Sequence, residues 1–281
     1  MLDEARKILS TMLDNRLFPS VVTYNALIDG FCKKGMVDTA FEIFDMMESK
    51  NCSPNVRTYN ELISGFCEGK KVHKAMALLS VDKAYDMFDS LKEKGIKVNE
   101  VMYTALIDGY CNVEKVDAAL ALFERMVTEG CLPNSYTYNV LINGLCKVKK
   151  LHEALKFLER MLEGGMKPTI VTYSIIIEQM LKEFDFDSAY RVLNHMISVG
   201  LKPDVCTYTS FLLAYCNQGM LKEAEDVMVK MKEKGVQPDL MSYTVLIDGY
   251  GRSGFIDLAF DTLKSMVDAG YEPSHYTYSV F

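Results

Sequence analysis

The 281-residue chain is predicted to be an all-α solenoid, a superhelix of 35-residue helix–turn–helix repeats. Three residue series predict it. Pro19, Pro54, Pro133, Pro168, Pro203, Pro238 and Pro273 are 35 residues apart, except for one gap of 79. Tyr24, Tyr59, Tyr103, Tyr138, Tyr173, Tyr208, Tyr243 and Tyr278 keep the same step, with one interval of 44. Gly95, Gly130, Gly165, Gly200, Gly235 and Gly270 form a third series, also 35 apart. A fixed period of 20 to 50 residues marks a repeat architecture. A two-helix unit of this length cannot bury both helix faces alone, whereas stacked units can.

The full repeats run 21–55, 56–99, 100–134, 135–169, 170–204, 205–239 and 240–274. Residues 1–20 are the tail of an earlier repeat, a second helix, and 275–281 the head of another. In the first helix of each unit, Tyr24, Leu27, Ile28, Phe31 and Cys32 fall at i, i+3, i+4, i+7 and i+8, one helical face. Lys34-Gly35 is a stop signal. In the second helix, Val37, Ala40, Phe41, Phe44 and Met47 make another apolar face. The Gly series lies just past this helix, where a left-handed cap suits Gly, and the following Pro blocks continuation. Repeat 56–99 has 44 residues, and Met76–Ala84 is its surplus. Nine residues at 100° each turn the apolar face of Val72, Ala75, Met76 and Leu79 away from that of Ala84, Tyr85, Phe88 and Leu91. The reading expects a break, a kink or one-sided exposure near Ser80–Asp82.

Composition excludes several classes. Apolar residues make 49% and charged residues 25%, as in a folded globular chain. No run of 18 apolar residues is present, so no membrane-spanning helix is expected. The first residues lack the pattern of a secretory signal. Eight Cys without a CxxC pair do not make a disulfide framework, which points to reduced thiols in an intracellular compartment. Cys32, Cys67, Cys111, Cys146 and Cys216 recur in the apolar stripe and are expected to be core thiols rather than metal ligands. Met47, Met126, Met161, Met196, Met231 and Met266 read as core filler near the ends of second helices. His73, His152, His195 and His275 show no ligand spacing. No zinc-deaminase, phosphate-loop or GxSxG motif occurs. The expectation is therefore no enzyme, no catalytic residue, no metal and no cofactor.

A second stripe on the first helix, Val22, Asn25, Asp29 and Lys33, is expected to be exposed. The Asn25 position holds Asn60, Thr104, Asn139, Ser174, Thr209 and Thr244 in the other units. All can donate and accept hydrogen bonds, and none is a strong helix former. Seven such choices ask for an external partner more than for a tidy core edge. The residue after Pro (Ser20, Asn55, Asn99, Asn134, Thr169, Asp204, Asp239, Ser274) is a preferred N-cap type. The Thr three residues later is an equally good cap, so one of the two positions is expected to be free for other work. Lys33, Lys147, Lys182 and Arg252 share one position and make a broken phosphate-contacting row. Asp29, Asp108, Glu178 and Asp248 lie on the same stripe, and the net charge is −7, both of which oppose a polyanion.

Residues 21–55, VVTYNALIDGFCKKGMVDTAFEIFDMMESKNCSPN, closely resemble a pentatricopeptide repeat (PPR), as do the other units along the whole chain. The plain 35-residue form resembles the P class of plant organellar members. The resemblance implies a non-catalytic scaffold that binds single-stranded RNA and reads one base per repeat, in organellar RNA processing, stability or translation. Its reading pair is the residue after Tyr and the last residue of the repeat. The pairs are Asn25 with Asn55, Asn60 with Asn99, Thr104 with Asn134, Asn139 with Thr169, Ser174 with Asp204, Thr209 with Asp239, and Thr244 with Ser274. The family rule then implies the target 5′-YYAYGGR-3′, laid 5′ to 3′ along the chain. It also implies base clamping at Val22, Arg57, Val101, Tyr136, Val171, Cys206 and Met241, of which all but the three Val depart from the family's Val. Other RNA-processing proteins are further implied partners. The implied location is the mitochondrion, with the chloroplast as alternative. Residue 1 falls inside a second helix, so a transit peptide is expected outside this chain. The alternative reading is a protein–protein interaction solenoid of tetratricopeptide type.

Overall fold

The computed structural model describes residues 2–68 and 74–280. Every helix or strand assigned among them is an α-helix. The chain divides into two compact units, Met1–Val148 and Lys149–Phe281.

In the first unit, first helices α2 (Val21–Lys33), α4 (Val56–Cys67), α6 (Glu100–Asn112) and α8 (Ser135–Lys147) alternate with second helices. The second helices are α1 (Leu2–Asp14), α3 (Val37–Ser49), α5 (Lys74–Glu93) and α7 (Val116–Thr128). Helices α2, α4 and α6 each pack on their own second helix and on the next first helix, as α4 does on α5 and α6. The second unit repeats the plan. There α10 (Ile170–Lys182), α12 (Val205–Asn217) and α14 (Leu240–Arg252) are first helices. Its second helices are α9 (Leu151–Glu163), α11 (Phe186–Ser198), α13 (Leu221–Glu233) and α15 (Ile256–Asp268), and α16 (His275–Tyr278) follows.

The expected apolar stripes are the core. Tyr24, Leu27, Ile28, Phe31 and Cys32 are all buried, as are the five recurrent Cys and the six Met. The Tyr series serves packing between repeats. Phe44 meets Tyr59, Phe88 meets Tyr103 and Phe123 meets Tyr138 edge-on, with ring centres 5.6, 4.8 and 5.2 Å apart. Each such pair is worth about 0.5–1.5 kcal/mol beyond the area it buries. Phe41 departs from the expected core face and is partly exposed, while Ile43 is buried in its stead.

First helices approach closely because small residues face each other. Gly65, Gly109, Gly144 and Gly249 each lie against the Cys of the preceding first helix. A Cβ at Gly144 would stand 2.4 Å from Cys111 Sγ and 2.8 Å from its Cβ. Past the second helices, the Gly series takes the expected left-handed φ, for example 76° at Gly130.

The long repeat does not break within α5, which is continuous from Lys74 to Glu93. Its chain holds no Gly or Pro there, so keeping the helical hydrogen bonds costs less than interrupting them. The mismatch emerges as one-sided exposure. Leu79 is 63% exposed, while Ala84, Phe88 and Leu91 are fully buried. Val72 and His73 lie outside the described residues, as do the side chains of Ala75 and Met76.

Candidate functional site

The first-helix N-termini carry the candidate site. Asn55, Asn99, Asn134, Thr169, Asp204, Asp239 and Ser274 are all N-caps with extended backbone, and each accepts a hydrogen bond from the backbone N–H three residues on. The Thr or Ser three residues on returns a side-chain bond to the cap N–H in five of these helices. In those five helices this corrects the expectation that one of the two positions is free: both belong to one reciprocal cap. The reason is the set of unpaired N–H groups at a helix start, which two short polar side chains satisfy together. Asn and Asp caps use Oδ1, leaving the second polar atom of the side chain for other contacts.

The position after Tyr is not exposed as expected. Asn25 is 3% and Thr104 6% exposed, and Asn60, Asn139, Ser174, Thr209 and Thr244 are half-buried. Asn25, Asn60, Thr104, Ser174 and Thr209 turn toward the cap of the next repeat. Thr58 Oγ1 donates to Asn25 Oδ1 at 2.7 Å. Thr104 Oγ1 meets Thr137 Oγ1 at 2.8 Å, Ser174 Oγ meets Thr207 Oγ1 at 3.0 Å, and Thr209 Oγ1 meets Ser242 Oγ at 3.0 Å. Asn99 Nδ2 donates to Asn60 Oδ1 at 3.2 Å, and Asn25 Nδ2 reaches Asn55 Oδ1 at 3.4 Å. Thr244 instead donates to the Leu240 carbonyl.

In four pairs the two members are thus joined through a third residue, Thr58, Thr137, Thr207 or Ser242, three positions after the cap. That joint fixes the direction of the protons. Thr207 donates its hydroxyl proton to Asp204 Oδ1 at 2.8 Å, and Ser242 donates to Asp239 Oδ1 at 2.8 Å. A hydroxyl has one proton to give, so Ser174 must donate to Thr207, and Thr209 to Ser242. Ser174 and Thr209 then keep only lone pairs for a ligand, beside a second carboxylate oxygen that also accepts. Thr137 likewise donates to Asn134 Oδ1 at 3.2 Å, so Thr104 also presents a lone pair. Its neighbour there is the Asn134 amide, a donor. The sequence signal for this joint was the Thr recurring three residues after six of the eight caps.

Beside these groups lies an exposed row. Val22, Arg57, Val101, Tyr136, Val171, Cys206 and Met241 are all exposed, Val101 at 47% and Val22 at 74%. A cavity of about 190 Å³ opens among α4, α6 and α8, with Thr104, Asn134, Val101 and Tyr136 in its lining. A closed cavity of about 150 Å³ admits benzene, so this volume suits one flat ring.

Lys33, Lys147, Lys182 and Arg252 are exposed and engaged. Lys33 pairs with Asp29 at 2.7 Å, Lys182 with Glu178 at 2.7 Å and Arg252 with Asp248 at 2.8 Å, each one helical turn apart. Asp29 holds the Lys33 ammonium above the ordinary lysine range through its hydrogen bond and charge. Lys147 and Arg252 also donate to Asn112 and Asn217, which hold the same position one repeat earlier. Acids on the stripe therefore hold Lys33, Lys182 and Arg252 in place. Among the described residues, no three His, Cys, Asp or Glu gather as metal ligands, and no helix is long and apolar enough to cross a membrane.

Comparison with known proteins bears on the same region. A model of the PPR repeat family matches residues 19–68, 98–147, 137–182, 168–217, 203–252 and 238–281, and a PPR repeat model matches 57–81. No curated protein matches the chain in sequence. Among solved structures, the pentatricopeptide repeat protein PPR10 from maize aligns with a TM-score of 0.64 at 23% identity, over 99% of this chain and 43% of its own. PPR10 in complex with an 18-nucleotide psaJ RNA element aligns with a TM-score of 0.59, also at 23% identity, over 99% of this chain and 44% of its own. The PPR domain of Arabidopsis thaliana protein-only RNase P 1, in complex with tRNA, gives 0.53 at 21% identity, over 64% of this chain and 95% of its own. The chain therefore spans under half the length of PPR10.

Proposed function

The chain belongs to the PPR repeat family, and from that premise we propose that it is a sequence-specific scaffold for single-stranded RNA. Each repeat takes one base, and the target is 5′-YYAYGGR-3′. The observation that carries this reading is the proton direction in the joined pairs. Where Asp ends the pair, Ser174 with Asp204 and Thr209 with Asp239 offer two acceptors. Guanine presents two adjacent donors, its ring N–H and its amino group. Where Asn ends the pair, Thr104 and Asn134 offer an acceptor beside a donor. Adenine presents its amino donor beside a ring acceptor. Val101 and Tyr136 flank that pocket and stack on the base, a contact worth about 1–3 kcal/mol per base.

Lys33, Lys147, Lys182 and Arg252 contact phosphates. Four contacts on a single strand give a log–log salt slope of about −3 at most, and the standing ion pairs lower it. The scaffold performs no covalent chemistry itself, because its polar groups recur along the repeats and do not converge on one site. It works on organellar transcripts, mitochondrial or chloroplast, in processing, stability or translation, alongside other RNA-processing proteins. Selection from a random RNA pool tests the reading: recovery of a central A-Y-G-G supports it, and a pool without that core rejects it.

One observation favours a protein partner as the second reading. A groove of about 630 Å³ between α3 and α5 has Phe41, Phe44 and Tyr59 in its lining with Asp38, Glu42, Asp45 and Glu48. Absence of any enriched RNA would direct attention there.

A further inference from the structure

Position 61 breaks the repeat pattern. The equivalent residues are Ala26, Ala105, Val140, Ile175, Ser210 and Val245, none of them ionisable. Glu61 sits on α4 with its side chain only 12% exposed. Its Oε1 accepts from Arg57 Nε at 2.7 Å, one helical turn back. Its Oε2 is buried and has no hydrogen-bond partner among the described residues. Glu61 and Asn60 both line a cavity of about 200 Å³ between α2 and α4, with Asp29, Lys33, Ser64 and Glu68 also in the wall. Burial pushes the Glu61 carboxyl above the usual range, against the pull of Arg57. An ionised oxygen left without a donor in such a place is costly, so a ligand that brings a donor is favoured there.

We propose that Glu61 is a third base-reading group of repeat 56–99 and makes that repeat select cytosine over uracil. The proposal rests on the one-base-per-repeat reading, in which Asn60 and Asn99 accept either pyrimidine. Cytosine carries an amino donor at C4 where uracil carries an acceptor oxygen, and carboxylates are suited to that amino group. The terminal carboxylate torsion is soft, so Oε2 turns to the cavity, and the 70% exposed Arg57 side chain follows Oε1. Arg57, at the clamping position, is thereby held beside the same base.

The test compares RNAs that differ only in C or U at the second base of 5′-YYAYGGR-3′, against wild type, Glu61→Gln and Glu61→Ala. Wild type should bind the C form about tenfold more tightly, the worth of one hydrogen bond to a charged group. In Glu61→Gln the ratio should fall to about 1 at unchanged fold, since an amide offers either a donor or an acceptor. An equal affinity for C and U in wild type overturns the proposal. So does a parallel loss of both affinities at constant ratio, which would make Glu61 only a positioning residue for Arg57. Control RNAs carrying A in place of the two G separate the levels. If these controls discriminate and the C/U pair does not, only the role of Glu61 falls. If neither discriminates, the repeat reading falls and takes this proposal with it.

Discussion

Replacing Asp204 and Asp239 together by Asn should convert a preference for GG into one for AA at the fifth and sixth bases. The structure separates the two jobs of each carboxylate. Asp204 Oδ1 accepts from the Thr207 N–H and hydroxyl, both at 2.8 Å. Asp239 Oδ1 accepts from the Ser242 N–H at 2.9 Å and its hydroxyl at 2.8 Å. Asn keeps this acceptor and is as good an N-cap as Asp, so folding should be unaffected. The second oxygen becomes an amide donor, which reproduces the acceptor–donor pattern of Thr104 with Asn134. Guanine then loses a hydrogen bond to a charged group in each repeat, about 1.5–3 kcal/mol. For two repeats this is about 3–6 kcal/mol, or roughly 10²- to 10⁴-fold in the GG-to-AA ratio. Fluorescence anisotropy with two labelled RNAs, at one salt concentration, reads it directly. A double variant that folds normally and still prefers GG by the wild-type margin would refute the proton-direction argument.

Three other outcomes follow from packing and backbone geometry. Gly144→Ala should destabilise the chain by about 1–2 kcal/mol in urea unfolding, because overpacking against Cys111 outweighs the better helix propensity of Ala; a variant as stable as wild type contradicts the close approach of α6 and α8. In the native protein at pH 8, a thiol reagent should modify the exposed Cys206 first and the half-buried Cys52 and Cys131 more slowly. Cys32, Cys111 and Cys216 should stay silent until unfolding, since burial pushes them up to about 12, 12 and 11 and the reactive thiolate is scarce; early reaction of these thiols would sink the argument. Lys149→Gly should stabilise by about 0.5–1 kcal/mol, because Lys149 is exposed and holds a left-handed φ of 60° where Gly35, Gly219 and Gly254 stand in other repeats; thermal unfolding measures it.

The repeat period, helix faces and caps were legible in the amino-acid order. Period and amphipathicity are local properties: a Gly beyond a helix, a Pro after it and apolar residues at i, i+3 and i+4 act within one turn or two. The family could be named on the same residues, and the Cys and Met series could be assigned to the core because they share the apolar stripe. The surplus in repeat 56–99 was also countable, but whether the helix would break or expose a face was not. Continuity of α5 and exposure of Leu79 depend on what neighbouring helices offer to cover.

What only the tertiary structure decided concerns groups 33 residues apart. Sequence marked Asn25, Thr104, Ser174 and Thr209 as exposed readers, whereas each is turned against the next repeat. Sequence offered Thr207 and Asp204 as rival caps, whereas Asp204 is the cap and Thr207 donates to it, which passes a single proton direction back to Ser174. The orphan oxygen of Glu61 and the Cys–Gly contacts were equally invisible. The physical reason is common to all of them. A side chain's type sets what it can donate or accept, but the donor and acceptor left for a ligand are whatever its neighbours have not already taken. Those neighbours lie one repeat away, brought close by the packing of one first helix on the next.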